Sequence, residues 1–359
     1  MSIWHRARSL FPVTERVVHL DHASRAPVSS RVDEAIRQFL DTATRSGGAE
    51  FDARLARVRE HVRARVALLV AADPDEIAFV PHAADGLERI ADDVGWRRGD
   101  AVVLAGGAPE PRGWRRLAEY GVETLRVPTD RGVVCPDRVE AALRHPRARL
   151  LLVAAVDPAT GSRAPLPALG RLCRERGVLL CADASHQLGC LALRVDACDV
   201  DYLVSDAHRF LLAPGGIGIL YRRRRVARDA STAGAAFESG PANDLGIAAL
   251  GAAVDLLLEL SCDAIERRIL ELGARLTDGL LARGVRAISP DDASRSGITV
   301  FRLDGEPAAR TAARLQACRI IVAAGDAGVR VSPHCYIDPA EIDALLDAVH
   351  PQAAAGGAQ

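Results

Sequence analysis

The feature that most constrains this chain is an alternation of short apolar runs with amphipathic stretches. The runs "EIAFV" (76–80), "AVVLA" (101–105), "RLLLVAAV" (149–156), "GVLLCAD" (177–183), "DYLVSDA" (201–207) and "GIGILYRR" (216–223) are nearly continuous in Val, Ile, Leu and Ala. That is the pattern of strands buried on both faces. Between them, "DGLERIADDV", "PRGWRRLAEYG", "DRVEAALRH" and "LPALGRLCRERG" carry apolar residues at helical spacing, the last ending on Gly177. Strands alternating with helices predict an α/β fold with a mostly parallel central sheet covered by helices.

After "FESGPAND" (237–244) the pattern changes to two long helices, 245–260 and 263–284. Strand-like "GITVFRL" and "RIIVAAG" follow, then a last helix over 339–350. This predicts a smaller C-terminal α+β domain. The expected organisation is an N-terminal arm (1–15), a large α/β domain (16–243), the small domain (244–350) and a disordered tail, "PQAAAGGAQ" (351–359). No internal repeat is visible.

Bulk properties exclude several partners. A formal net charge of -1 over 359 residues leaves no basic field for a nucleic-acid backbone. No apolar run approaches the roughly 20 residues of a membrane span, and "MSIWHRARSLFPV" is too broken by charge for a signal peptide, so a cytoplasmic location is expected. The eight cysteines are scattered without a C-x-x-C pair and read as reduced packing residues. Cys335 stands beside His334, but strand neighbours point to opposite faces, so it too reads as packing. All 46 basic residues are arginine, and the chain contains no lysine.

In an open parallel sheet the ligand site lies at the carboxyl ends of the strands. "CADASHQLG" puts Asp183 and His186 at one such end, and "SDAHR" puts Ser205, Asp206, His208 and Arg209 at the next. "GVRVSPHCY" offers Arg330, Ser332 and His334 where the small domain would fold over that mouth. A lone acid at a strand end is commonly a helix cap and a lone histidine a structural residue; the collection of them is what marks a site.

From "VVHLDHASRAPVS" to the final helix, the chain resembles the class V aminotransferases and cysteine desulfurases, including their isopenicillin N epimerase-like branch, a fold-type I pyridoxal-phosphate family. "CADASHQLG" matches the strand bearing the family's pyridinium-binding aspartate, "SDAHRFLLAPGGIGILY" its Ser-x-x-His-Lys turn, and "RVSPHCY" its substrate-carboxylate arginine. The resemblance implies a fold-type I transferase-like architecture and a homodimer. It also exposes departures. Arg209 stands at the Schiff-base lysine, and a guanidinium does not form that bond. His82 and Ala84 in "PHAADGL" stand at the phosphate loop's Asn and Thr, and Gly107 and Ala108 fall near the ring-stacking position. Pro158 replaces an Asn, and Gly240-Pro241 a Gly-Thr. The expectation from these losses is that the chain takes no cofactor, covalent pyridoxal phosphate being closed to it and noncovalent pyridoxal or pyridoxamine phosphate lacking anchors.

The polar floor nevertheless keeps the family pattern. Asp183, His186, His208, His82 and His22 are the candidate catalytic groups, and Arg209, Arg330, Ser205, Arg25 and Ser332 the candidate substrate-binding groups, suited to a small anionic molecule. Four functions compete. One is a cofactor-independent enzyme of specialised metabolism using acid-base chemistry (elimination, cyclisation or acyl transfer) on a carboxylated, amino-acid-like substrate. The others are a non-catalytic binding subunit, a noncovalent pyridoxamine-phosphate enzyme, and a metal site from His22, His82, His186, His208 and His334, for which no tight ligand spacing exists.

Overall fold

A computed structural model describes residues 2–108, 111–227, 234–238, 240–288 and 294–349. The chain opens with helix α1 (Ile3–Arg8) and the short strand β1 (Val18–His19), then two long helices, α2 (Ser30–Arg45) and α3 (Gly48–Val70). The apolar runs do not foretell this helical pair. The buried residues of α3 begin only at Val62, so its first half carries no apolar stripe to read.

The strand and helix alternation then appears as expected: β2 (Ile77–Val80), α4 (Ala83–Asp93), β3 (Ala101–Ala105), α5 (Arg115–Glu119), β4 (Glu123–Arg126), α6 (Pro136–Leu143), β5 (Ala148–Ala154), α7 (Leu166–Arg176), β6 (Leu179–Asp183), β7 (Tyr202–Asp206) and β8 (Gly218–Arg222). These strands form one seven-stranded sheet in the order β2-β8-β7-β6-β5-β3-β4. Strand β8 runs antiparallel to both its neighbours, and every other neighbouring pair is parallel. The mostly parallel sheet is therefore present. Edge strand β4, largely exposed, is an addition that no apolar run announces.

Burial explains why the inner strands hold. Leu150, Leu151 and Leu152 are all fully buried, with Leu151 in the apolar cluster on one face of the sheet and its two neighbours in the cluster on the other. Each contributes about 1.5–3 kcal/mol of transfer free energy.

The remaining elements are α8 (Asp244–Leu260), α9 (Cys262–Ala282), β9 (Thr299–Phe301), α10 (Ala308–Ala317), β10 (Ile320–Ile321), β11 (Ala323–Gly325), β12 (Gly328–Val331) and α11 (Pro339–Val349). Strands β11, β12 and β9 form a small antiparallel sheet. The run "RIIVAAG" is split between two sheets, because Ile320 and Ile321 pair with β1 while Ala323–Gly325 pair with β12. Helix α8 begins where the small domain was expected to begin, and it packs against α2 and α3. The tail 351–359 lies outside the described residues. Among the described residues no single helix is long and apolar enough to cross a membrane; α8 and α9 together pass by length and composition but are bent by 80°.

Segment 18–26 positions the site. The Leu20 N–H donates to the Ile321 carbonyl, Ser332 N–H to the Leu20 carbonyl and His22 N–H to the Ser332 carbonyl, after which Ala26 N–H donates to the His208 carbonyl. Residues 21–25 are thereby laid across the turns that follow β6 and β7.

Candidate functional site

The site is built on the carboxyl ends of β6 and β7 and on the N-terminus of α4. Asp183 closes β6. Its carboxylate accepts the Ser185 N–H at 3.0 Å, and burial pushes its pKa up, with the neighbouring Asp206 charge adding to the rise while the Ser185 hydrogen bonds and Arg209 oppose it. One turn on, the His186 ring lies against the Ala23 carbonyl, and its Nε2 is buried without a hydrogen-bond partner among the described residues. Burial first, then the positive charges of Arg209 and Arg330, bring its pKa down to about 3. At neutral pH His186 is therefore an uncharged imidazole whose Nε2 is unpartnered.

Asp206 ends β7 and reaches in two directions. Its Oδ1 accepts the N–H of Ala83, first residue of α4, at 2.9 Å, and its Oδ2 accepts from Arg209 Nε at 3.3 Å. Arg209 also donates to the Ala23 carbonyl. The turn carrying it is closed by Ala213 N–H donating to the Ala207 carbonyl, with Leu212 held at φ 61°. A β-carbon on Gly218, where β8 begins, would lie 2.8 Å from the Ser205 carbonyl, so glycine lets the returning strand pass close behind this turn. Arg330 donates to Ser24 Oγ, to Asp21 Oδ1 at 3.3 Å and to the Pro158 carbonyl at 3.4 Å, and its Nε is buried and unpartnered among the described residues.

The structure thus brings Asp183, His186, Arg209 and Arg330 together. His208 stands half-buried beside them, its pKa lowered by burial against the pull of Asp206. Arg25 is exposed at the rim, 3.2 Å from where a β-carbon of Gly215 would sit. Four expected site residues are corrected. Ser205 is fully buried, its hydroxyl directed to the Asp206 and Ala184 carbonyls, because strand alternation sends residues 205 and 206 to opposite faces. His22 is fully buried, with Nδ1 on the Ser332 carbonyl at 2.9 Å and Nε2 on the Tyr336 hydroxyl at 2.7 Å. Ser332 is fully buried and accepts the Ala23 N–H at 3.0 Å. His82 is exposed and serves as the N-cap of α4, its Nδ1 accepting the Asp85 N–H at 3.0 Å. Asp206, which its motif placed at the mouth without a role, is one of its charged groups, and Asp21 and Ser24 belong to the mouth although no motif singled them out as binding groups.

His334 gives Nε2 to the Phe210 carbonyl and accepts the Cys335 N–H, and burial lifts the Cys335 thiol to about 12. Five of the eight cysteines are buried free thiols: Cys173, Cys181, Cys190, Cys198 and Cys335.

An α/β sheet with this strand order and a polar mouth at its carboxyl edge defines a class that sequence comparison makes specific. Residues 18–345 match the model of the class-V aminotransferases, and the chain belongs to that family. Among its relatives are a probable cysteine desulfurase of Methanothermobacter thermautotrophicus, 29% identical over 76% of this chain and 73% of that protein, and the uncharacterized aminotransferase YcbU of Bacillus subtilis, 24% identical over 95% and 96%. The fold matches the apo structure of a cysteine desulfurase from Thermococcus onnurineus at a TM-score of 0.88, 22% identity and 98% coverage of both chains. It also matches a lysine-to-alanine variant of C-DES with glycine covalently linked to its pyridoxal-phosphate cofactor, at a TM-score of 0.86, 20% identity and 96% and 99% coverage.

These findings correct the expectation of no cofactor. That expectation inferred an empty site from a missing lysine and weakened anchors. The chain's relatives include cysteine desulfurases, and the C-DES variant carries the cofactor although a lysine has been replaced by alanine. The residues present fit such a group at its ring end: a part-buried carboxylate on Asp183 suits a protonated ring nitrogen, and the orphaned Nε2 of His186 suits a hydroxyl donor.

Proposed function

We propose that this chain takes a pyridoxal- or pyridoxamine-phosphate-type ligand reversibly, with no covalent link to the protein, and uses acid-base chemistry on a small carboxylate-bearing, amino-acid-like substrate. The observation that carries this reading is the pair of acceptors formed by the part-buried Asp183 carboxylate and the buried, unpartnered His186 Nε2, in a mouth whose basic side chains are guanidiniums rather than amines. When bound, the group supplies an electron sink for charge developing on a substrate carbon.

The chain's own residues supply the rest. Asp183 holds a ring N–H and keeps it protonated. His186, uncharged above pH about 3, accepts a hydrogen bond from a hydroxyl at Nε2. Arg330, with one guanidinium N–H unused, is the carboxylate fork, and Arg209 adds a second positive charge. His208, neutral at pH 7, is the group free to carry a proton at the rim. A two-fold dimer and a cytoplasmic location are part of the same proposal; a mass measurement in solution checks the first.

The test is titration of the purified protein with pyridoxal phosphate and pyridoxamine phosphate, followed by absorbance and equilibrium dialysis. The expected result is saturable, dialysable binding that Asp183→Ala weakens at least tenfold. Arg209→Lys gives the chain its first lysine, and borohydride treatment should then attach pyridoxal phosphate to the peptide around residue 209, whereas the native peptide stays unlabelled. Absence of binding up to millimolar ligand would sink the reading.

A second reading has one observation in its favour. Both mouth arginines already bond the chain's own segment 21–24, Arg209 at the Ala23 carbonyl and Arg330 at Ser24 and Asp21. A non-catalytic binding subunit would keep the mouth closed in this way. It is separated from the first by turnover: an amino-acid substrate consumed by the native protein but not by His208→Gln excludes it.

A further inference from the structure

Asp206 is a charged group of the mouth that the proposed acid-base roles above leave without a task. Its carboxylate sits on the first N–H of α4, 2.9 Å from Ala83 N, and its other oxygen faces Arg209 Nε at 3.3 Å. Its own backbone N–H donates to Ser185 Oγ at 3.1 Å, and Ser185 N–H in turn holds Asp183. The carboxylate is therefore fixed from β7, from the turn after β6 and from α4, and is only slightly exposed.

A helix N-terminus at the edge of an open sheet draws anions, because its first N–H groups lack intrahelical partners and carry the positive end of the helix dipole. In this chain that place holds an anion of its own. An arriving phosphate monoester meets a like charge at the helix end and finds the Ala83 N–H already used. The positive charge beside that place is Arg209, which Asp206 already pairs with at 3.3 Å and partly neutralises.

Resting on the proposed function, the structure assigns to Asp206 the role of an affinity-setting residue. It stands in for the ligand's anionic end, weakening the hold on a phosphate-bearing ligand relative to its phosphate-free counterpart, so that the ligand exchanges freely in a protein without a covalent anchor. This is a property of one carboxylate and predicts a specific change when its charge is removed.

The experiment compares wild type with Asp206→Asn and Asp206→Ser, each checked for an unchanged fold by its thermal midpoint. Inorganic phosphate is the first probe, followed by broadening of its phosphorus resonance. The expected result is phosphate binding roughly tenfold tighter in the variants, the worth of one charge-assisted contact. The second probe is the ratio of the dissociation constants of pyridoxal phosphate and pyridoxal, which should fall by a similar factor in the variants. Phosphate binding equal in wild type and in both folded variants overturns the assignment. Tighter phosphate in the variants with no binding of either pyridoxal form to any of the proteins supports the role of Asp206 and removes the proposed function instead.

Discussion

Two regions of this molecule are rich in buried imidazole and hydroxyl groups, and they treat them in opposite ways. The first is the seam where segment 18–26 meets the loop after β12. There His22 engages Tyr336 and the Ser332 carbonyl, His334 engages the Phe210 carbonyl and Cys335 N–H, and Phe11 stacks on Tyr336 with ring centroids 3.8 Å apart. Every ring nitrogen of these two histidines has a partner. The second is the mouth, a few residues away along the same segment, where His186 Nε2 and Arg330 Nε have none among the described residues and Asp183 is a part-buried carboxylate whose pKa is raised. Since buried polar groups are nearly always satisfied, the seam is a joint, and the unpartnered groups of the mouth are what the proposed ligand would satisfy. Histidine count does not separate the two; hydrogen-bond completeness does.

The comparison breaks first at the seam. His22→Ala leaves the Tyr336 hydroxyl without its ring partner and takes one of two donors from the Ser332 carbonyl in a fully buried place, and the expected loss is about 3 kcal/mol of stability by chemical denaturation. Ligand affinity of the folded fraction should stay within twofold. A His22→Ala protein of native stability that had lost its ligand would move His22 from the joint to the site. The mouth should behave in reverse: Asp183→Ala lowers pyridoxal-phosphate affinity at least tenfold while the unfolding midpoint holds or rises, because a buried carboxylate with a raised pKa is a cost to the fold that its removal relieves.

Acid separates the regions more gently. His334 is held near pKa 4 and His186 near 3, against 6.5 for a free imidazole, and His22 lies well below its ordinary value, all chiefly through burial. Between about pH 6.5 and 4 the unfolded chain binds protons that the folded chain does not, so stability falls as pH falls, by about 1.4 kcal/mol per unit for each proton fully expressed. Asp183 works the other way, since its raised pKa lets the folded state keep a proton that the unfolded state releases as pH rises. Several imidazoles against one carboxyl give a net loss on acidification. His334→Gln should flatten this slope by about one proton, measured by denaturant melts at stepped pH; an unchanged slope would mean that the seam opens to water before it unfolds.

The sheet was legible because its strands are continuous apolar runs, and the run ending at Asp183 also located the floor of the mouth. The long helices α2 and α3 were not, because much of their surface is exposed and the buried residues of α3 are confined to its second half. Site residues followed the same logic. Asp183, His186, Arg209 and Arg330 stand at strand ends and in the turns after them, where motif and topology agree. His22 and Ser332 were assigned to the mouth by their place in a motif, but their contacts run across the chain, to Tyr336 and Ala23, and no local pattern announces a partner some 310 positions away. His82 failed differently: a residue before a helix is as easily its cap as its catalyst, and in α4 it is the cap.

The smallest expected effect tests the finest distinction, between two adjacent residues of β7. Side chains alternate along a strand, so Ser205 and Asp206 cannot both face the ligand. The structure turns Asp206 toward α4 and buries Ser205 with its hydroxyl on backbone carbonyls at 3.2 and 3.5 Å, contacts near the long end of hydrogen bonding. Ser205→Ala removes a donor whose acceptors are carbonyls already placed in the strand and its neighbouring turn. The expected cost is about 0.5–1 kcal/mol or less in stability, with ligand affinity changed by less than twofold. A register slip of one residue in β7 would exchange the two faces, and a large affinity loss in Ser205→Ala with none in Asp206→Ser would report that slip. The antiparallel pairing of β7 with β8, Ser205 opposite Ile219 and Asp206 opposite Gly218, argues for the register as it stands, because only glycine at 218 fits within 2.8 Å of the Ser205 carbonyl.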